Sequence, residues 1–160
     1  MTNKDLSREL CEICGIKPMY RLEDINALYN EDMYNEFCEM RLNKGLLIPT
    51  GTKAVFPDFT QPENFVKLEE IMLAELAKQR LTVVKYVHYY SDNTLMHEYI
   101  LITKCGHKFK FTHNGIKVDN WFVEREDRTE CLILFILWKV LPICGESIKQ
   151  AIKSEEWKYE

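Results

Sequence analysis

Glycine and proline are scarce in this sequence, with 6 and 5 among 160 residues. Such low numbers exclude collagen-like and low-complexity chains, which are rich in these residues. A surplus of basic residues is also lacking, because 21 lysines and arginines stand against 25 aspartates and glutamates, for a net charge of -4. General binding to a nucleic-acid backbone requires a basic face. We therefore do not expect direct contact with nucleic acid.

Long apolar segments are lacking as well. The longest, Cys131–Leu141, is interrupted only by Lys139 and is far shorter than the roughly 20 apolar residues of a membrane-spanning helix. The first ten residues, MTNKDLSREL, do not contain the apolar stretch of a secretory signal. We expect no membrane association and a cytoplasmic location, where the six cysteines remain free thiols.

The spacing of apolar residues predicts several helices. Helices are expected at residues 4–14, 31–43 and 60–80, where Thr60 and Glu63 have the spacing of a capping box. Residues 131–141 are apolar nearly all round and predict a buried closing helix. Pro142 and Gly145 are expected to break it before a last helix at residues 146–155.

A period of two, with many valines and tyrosines, predicts strands in the second half of the chain. The strands are expected at residues 82–90, 95–104, 107–113 and 116–118, and Asn114-Gly115 is the strongest hairpin signal. The prediction is one α+β domain over residues 1–160, in which helices cover a four-stranded antiparallel meander. Its turns set a register whose core face contains Ile100, Ile102, Phe109, Phe111, Ile116 and Val118.

In the same register Glu98 lies opposite His113 at the rim of the sheet. A carboxylate can orient an imidazole for acid–base chemistry, so these two residues define one alternative, a small enzyme. A structural polar pair is the favoured interpretation. No Ser/His/Asp order and no phosphate-binding loop stands out, so the sequence favours a protein that is not an enzyme.

Cys11-Glu12-Ile13-Cys14 is a CxxC motif, which can hold zinc or exchange thiols. It falls at the C-terminal end of a predicted helix, where the helix dipole disfavours a thiolate. With Cys38 and His107 the pair would form a zinc site, and the second alternative is therefore a zinc-stabilised nucleic-acid-binding module. We favour small core side chains and expect no cofactor.

Three segments together resemble one known family. They are the helix end at residues 10–18 (LCEICGIKP), the segment Phe56–Phe59 before a helix, and the start of the closing helix at residues 130–137 (ECLILFIL). In this order they are similar to the small proteins of phages and prophages called the phage ABA-sandwich family. The resemblance covers residues 4–20 and 56–141. It implies an insertion at residues 21–55 and carries over no catalytic residue.

The resemblance implies a phage or prophage origin and a non-enzymatic accessory role. The expected partner is another protein of the host or the phage. Inhibition of a host-defence nuclease of the CRISPR type is one form of this role, because small acidic proteins can occupy basic nucleic-acid grooves. The candidate binding residues lie in the insertion and in the acidic tail, and they are Tyr29, Tyr34, Met40, Glu155, Glu156 and Glu160.

Overall fold

The computed structural model describes residues 2–22, 27–48, 52–79, 82–103, 111–113, 116–118 and 122–159. These residues form an α+β fold, as predicted. The helices are α1 (Asn3–Cys14), α2 (Glu31–Asn43), α3 (Pro62–Ala77), α4 (Arg128–Phe135), α5 (Leu141–Cys144) and α6 (Glu146–Ser154). The strands are β1 (Met19–Arg21), β2 (Leu28–Tyr29), β3 (Lys53–Val55), β4 (Thr82–Ser91), β5 (Thr94–Thr103), β6 (Phe111–His113), β7 (Ile116–Val118) and β8 (Phe122–Arg125).

Helix ends follow local side-chain chemistry at α1 but not at α3. At α1, Thr2 and Asp5 form a capping box, and Gly15 ends the helix in the left-handed region with φ 78°. The capping box predicted from Thr60 is wrong. The Thr60 hydroxyl donates to Asp58 Oδ1 at 2.7 Å, so this residue belongs to a turn before the helix, and α3 begins after Gln61.

The described strands form three antiparallel groups, with the orders β2-β1-β3, β4-β5-β8 and β6-β7. The hairpin β4–β5 turns at Asp92 and Asn93, whose φ values are 50° and 64°. Positive φ at both central residues defines the tight turn whose twist matches two antiparallel strands. The interval between the strands predicted at residues 82–90 and 95–104 is therefore a two-residue turn.

The four-stranded meander is wrong for the part of the chain that the structure describes. β6 and β7 pair as predicted, with His113 opposite Ile116, but they form a separate two-stranded sheet. The third strand of the sheet that contains β5 is β8, which lies beyond the four predicted strands. Its Val123 lies opposite Tyr99, and both side chains are buried in the core. Burial of this apolar pair explains why β8 takes the place beside β5.

The predicted core face of the sheet is also wrong at β5. Tyr99 and Leu101 are buried, whereas Ile100 and Ile102 are half-buried on the opposite face. β5 carries apolar residues on both faces, so alternation alone does not select the face that the helices cover. Phe109 lies outside the described residues, as do the side chains of Phe111, Ile116 and Val118.

The closing helix is buried as predicted. Residues 131–136 are all buried, and the helix packs against α1, β5 and β8. It continues past Leu141 because a π-helical turn, Ile136–Val140, links α4 to α5. Pro142 lies two residues after this turn and lacks the N–H that an α-helix would use, which favours the wider turn. Gly145, with φ 53°, then separates α5 from α6.

The described residues of the predicted insertion form a small unit together with Met19 and Tyr20, which lie outside the predicted bounds of 21–55. Within residues 19–55, the sheet β2-β1-β3 carries α2, and rings join them: Tyr20 stacks on Tyr34 at 4.9 Å and Tyr29 lies 6.0 Å from Phe37. Whether the unit is an insertion relative to a family stays a prediction. No helix in the described ranges combines the length and the apolar content needed to cross a membrane.

Candidate protein-binding surface

Helix α2 is well formed at both ends. The Asn30 side chain accepts a hydrogen bond from the Met33 amide at 2.8 Å, which satisfies one free N–H of the first turn. At the other end Gly45 has φ 71°, and the Leu46 amide donates to the Arg41 carbonyl at 2.8 Å. These bonds form the common glycine-dependent helix stop. The helix therefore keeps its shape through local bonds.

The inner side of α2 is held by aromatic rings. Tyr34 and Phe37 contact the rings of the small sheet, and the Arg41 guanidinium lies 5.4 Å from the centre of the Phe37 ring. Arg41 Nε also donates to the Leu47 carbonyl at 2.7 Å, which fixes the chain after the helix. In spite of these contacts, none of the 13 residues of α2 is fully buried.

The outer side of α2 combines methionines with carboxylates. Met33 and Met40 stand seven residues apart on one side of the helix, and Met40 is 48% exposed. Exposed acidic residues lie beside them, and we define the α2 surface as Asp32, Met33, Glu36, Glu39 and Met40. Leu47, just beyond the helix, is 87% exposed. Exposed apolar groups with a polar rim are typical of interaction sites, and methionine adapts to varied partners.

The acidic tail lies near the start of α2. Glu155 and Glu156 line a cavity of about 610 Å³ together with Glu31 and Asp32. Lys17, which also lines this cavity, forms an ion pair with Glu31, with Nζ 3.3 Å from Oε2. The structure thus brings two predicted tail residues to the N-terminal end of the α2 surface, while Glu160 lies outside the described residues.

Tyr29 and Tyr34 are placed differently from Met40. Both tyrosines are half-buried between α2 and the small sheet, and Tyr34 Oη lies 3.3 Å from Thr52 Oγ1. Their rings hold the helix in position, whereas the Met40 side chain faces solvent. Of the three candidate residues in the predicted insertion, Met40 is the one available for direct contact.

The CxxC cysteines are core side chains, as predicted. Burial raises the pKa of Cys11 to about 12 and that of Cys14 to about 11, so both thiols stay protonated at neutral pH. Cys38 is half-buried on α2, and His107 lies outside the described residues. Among the residues with described positions, no three His, Cys, Asp or Glu side chains approach closely enough to hold a metal ion.

The predicted Glu98–His113 pair depends on a register that the structure does not have. Glu98 lies between Val87 on one side and Glu124 on the other. Its side chain is half-buried on the sheet face turned away from the closing helix. The described pairing of β5 therefore gives Glu98 two cross-strand partners, and His113 is neither of them; the side chain of His113 is not described.

A polar network that the sequence did not predict closes one side of the core. The Tyr99 hydroxyl donates to Glu69, and an Arg128 nitrogen donates to the same carboxylate at 3.1 Å. The Arg128 guanidinium lies 4.1 Å from the centre of the Tyr86 ring and 5.0 Å from that of Phe65. Burial, followed by the bond to Glu69, raises the pKa of Tyr99. These mutual contacts make the network a structural link between α3, α4 and the sheet.

His97 lies next to this network. Its Nδ1 is 2.5 Å from the Tyr86 hydroxyl, and their rings stack at 6.0 Å. Burial lowers the pKa of His97, and the nearby charge of Arg128 lowers it further. The neutral imidazole is therefore the favoured form in the folded chain. No periodicity in the sequence marks these residues, because they meet only when three elements pack together.

The described elements define a protein of the α+β class. Comparison with protein-family models gives no match, and comparison with curated proteins and with solved structures gives none either.

Proposed function

We propose that this chain is a non-enzymatic accessory protein that acts by binding another protein, and that the α2 surface makes the contact. One observation carries the proposal: α2 is capped at both ends, yet it buries none of its 13 residues. A helix of this kind is normally stabilised by packing of an apolar face. The exposed methionines leave that apolar area available to a partner.

The chemistry of the α2 surface indicates the chemistry of the partner. Met33 and Met40 suit an apolar groove, since methionine is enriched at the cores of interfaces. Asp32, Glu36 and Glu39 are exposed beside them and complement a rim of lysines and arginines. The proposed partner is therefore a protein with an apolar groove and a basic rim.

Because the sequence resembles the phage ABA-sandwich family, we further propose that the chain comes from a phage or prophage and acts in the host cytoplasm. The specific form that we propose is inhibition of a host-defence nuclease of the CRISPR type. Such nucleases hold nucleic acid in positively charged channels. The net charge of -4 and the acidic α2 surface support competition for such a channel.

The experiment measures DNA cleavage by a purified CRISPR nuclease at increasing concentrations of the chain, with direct binding measured in parallel. The test variant is Glu36→Lys/Glu39→Lys, which reverses two charges of the α2 surface. The matched control is Glu9→Lys/Glu70→Lys, which makes the same change in net charge at exposed positions of α1 and α3.

We expect the wild type and the control variant to inhibit cleavage, and the α2 variant to bind at least roughly tenfold more weakly, since two rim charges are reversed. Equal inhibition by both variants would contradict a role for the α2 surface. Absence of binding to the nuclease would contradict the CRISPR form of the proposal. Binding without inhibition would limit the function to protein binding.

A further inference from the structure

Strand β4 forms one edge of the three-stranded sheet. It pairs with β5 along its whole length, from Thr82 opposite Thr103 to Ser91 opposite Thr94. Among the residues with described positions, no strand pairs with the other edge of β4. The strand is ten residues long, contains no proline and has Lys85 as its single lysine. Natural edge strands are usually shortened, bulged or charged to prevent pairing. This strand is long, its pairing with β5 has no bulge, and Lys85 is its single charged protection.

The turn after β4 determines which backbone groups face outward. Asp92 and Asn93 form a two-residue turn, so Ser91 and Thr94 are joined by the hydrogen bond that closes it. Hydrogen-bonded and non-bonded positions alternate along an antiparallel pair. Counting back from Ser91, the outward N–H and C=O groups belong to Tyr90, His88, Tyr86 and Val84.

Exposed apolar side chains accompany this edge. Tyr90 is 74% exposed near the end of β4. Helix α3 packs against β4 and exposes Val66 (52%) and Leu73 (42%), which stand seven residues apart on one side of the helix. The helix that packs on β4 therefore leaves apolar side chains exposed to solvent.

We propose that two copies of this chain form a twofold dimer by antiparallel pairing of β4 with β4, centred on Val87. In this register Val84 lies opposite Tyr90 of the second copy, and Tyr86 lies opposite His88. The outward N–H and C=O groups of all four residues then form hydrogen bonds with the backbone of the second copy. Aromatic residues opposite β-branched or aromatic residues are favourable pairs, and the two sheets become one of six strands.

Charge and shape favour a second copy of the chain as the occupant. In the Val87-centred register, Lys85 faces Tyr89 of the second copy, whose hydroxyl bonds to the carboxylate of Glu124. Each lysine thus approaches a carboxylate, and the two lysines stay apart. The twofold axis also leaves both α3 helices on the same side of the joined sheet, where their exposed apolar flanks can meet.

The first experiment is sedimentation velocity of the full chain across roughly 1–100 μM, a range that covers the micromolar affinities of modest interfaces. We expect a species of twice the 19.0 kDa chain mass. His88→Pro removes an outward N–H and leaves the ladder to β5 intact. We expect its Kd to rise roughly a hundredfold, because two hydrogen bonds per dimer are lost and each is worth up to about tenfold. His88→Ala keeps the N–H and should remain dimeric.

The second experiment tests the register and does not depend on the proline variant folding. Val87→Cys places two thiols on the twofold axis at a non-bonded pair, where Cα atoms are about 4.5 Å apart and a disulfide fits. Lys85→Cys is the matched control on the same face of the strand. Under mild oxidation we expect Val87→Cys to form a covalent dimer faster than both the control and the wild type.

Three results would each overturn the proposal. They are a wild type that stays monomeric throughout the concentration range, a folded His88→Pro variant that is still dimeric, and a Val87→Cys variant that cross-links no faster than Lys85→Cys. Circular dichroism establishes whether each variant is folded. If His88→Pro is unfolded, the comparison of Val87→Cys with Lys85→Cys decides. None of these results bears on the α2 surface, so the two proposals are tested separately.

Discussion

Helices α1 and α2 have almost the same length, 12 and 13 residues, and similar ends. Each begins after a capping side chain, Thr2 or Asn30, and each ends before a left-handed glycine, Gly15 or Gly45. Their surroundings differ completely. α2 buries no residue, whereas α1 buries Leu6, Ser7, Leu10, Cys11 and Cys14.

The comparison separates the causes of helix formation from the causes of burial. Caps and glycine stops act within a few residues, so they form both helices equally well. Burial requires an apolar stripe and an element to receive it. α1 has such a stripe and packs on α4 and α6. The apolar residues of α2 are distributed around the helix, with Phe37 facing the sheet and Met40 facing solvent. Local signals can therefore form a helix whose apolar side chains are not all buried within the same chain.

The largest expected difference is between Leu10→Ala in α1 and Met40→Ala in α2. Leu10 is fully buried, and we expect its truncation to lower the free energy of unfolding by about 2–5 kcal/mol. Met40 is exposed, and we expect a change below about 0.5 kcal/mol. Urea unfolding followed by circular dichroism measures both. Equal losses would show that α2 is packed against something in the folded chain.

Removal of a single hydroxyl should give the next largest difference. Tyr99→Phe removes the buried donor to Glu69, and we expect a loss of about 1–2 kcal/mol of unfolding free energy. Tyr34→Phe removes a hydroxyl in the half-buried contact between α2 and Thr52, and we expect less than about 0.5 kcal/mol. Thermal and urea unfolding of the two variants test this order, and the reverse order would contradict it.

Loss of a cap should affect the two helices differently. Thr2→Ala should lower global stability by about 1 kcal/mol, because α1 is part of the core. Asn30→Ala should weaken α2 by a similar amount but leave the global transition almost unchanged. Hydrogen exchange resolved by residue, together with urea unfolding, separates local from global opening. If Asn30→Ala destabilised the whole chain, α2 would unfold together with the core.

The smallest expected effect is a pH dependence from His97. Burial lowers its pKa in the folded chain below the ordinary value of 6.5, so the unfolded chain binds this proton at a higher pH. Above about pH 6.5 the imidazole is neutral in both states, and His97 does not change the free energy of unfolding. As the pH falls below that value, the free energy of unfolding decreases. Urea unfolding between pH 7.5 and 5.5 measures it. The slope should be smaller in His97→Gln, and an unchanged slope would assign it to other groups.

Helix positions were the most predictable part of this fold. The bounds of α2 match the prediction, and those of α1 differ by one residue, because apolar spacing and glycine stops are encoded within a few residues. The Asp92–Asn93 turn was predictable for the same local reason. The burial of Cys11 and Cys14 was predictable for another reason, because free cysteine is among the most buried residue types.

Strand partners and the candidate site were less predictable. The sequence located β7 and the described end of the strand predicted at residues 107–113, whose first four residues lie outside the described part of the chain. It did not show that β8 would occupy the place beside β5. For the candidate surface, it proposed Met40 and the acidic tail but did not separate the exposed methionine from Tyr29 and Tyr34, which hold α2 in place. The network of Tyr99, Glu69 and Arg128 joins three elements distant in the chain, so no local pattern revealed it.

The sequence by itself determined the α+β class, the positions of α1 and α2, and the tight turn between β4 and β5, because each depends on interactions between residues close in the chain. Only the tertiary structure decided which face of β5 is buried, which strand pairs with it, and which side of α2 stays exposed. β5 is apolar on both faces, and α2 has apolar residues on both sides. For such elements the sequence pattern permits either orientation, and packing against the closing helix or the small sheet selects one.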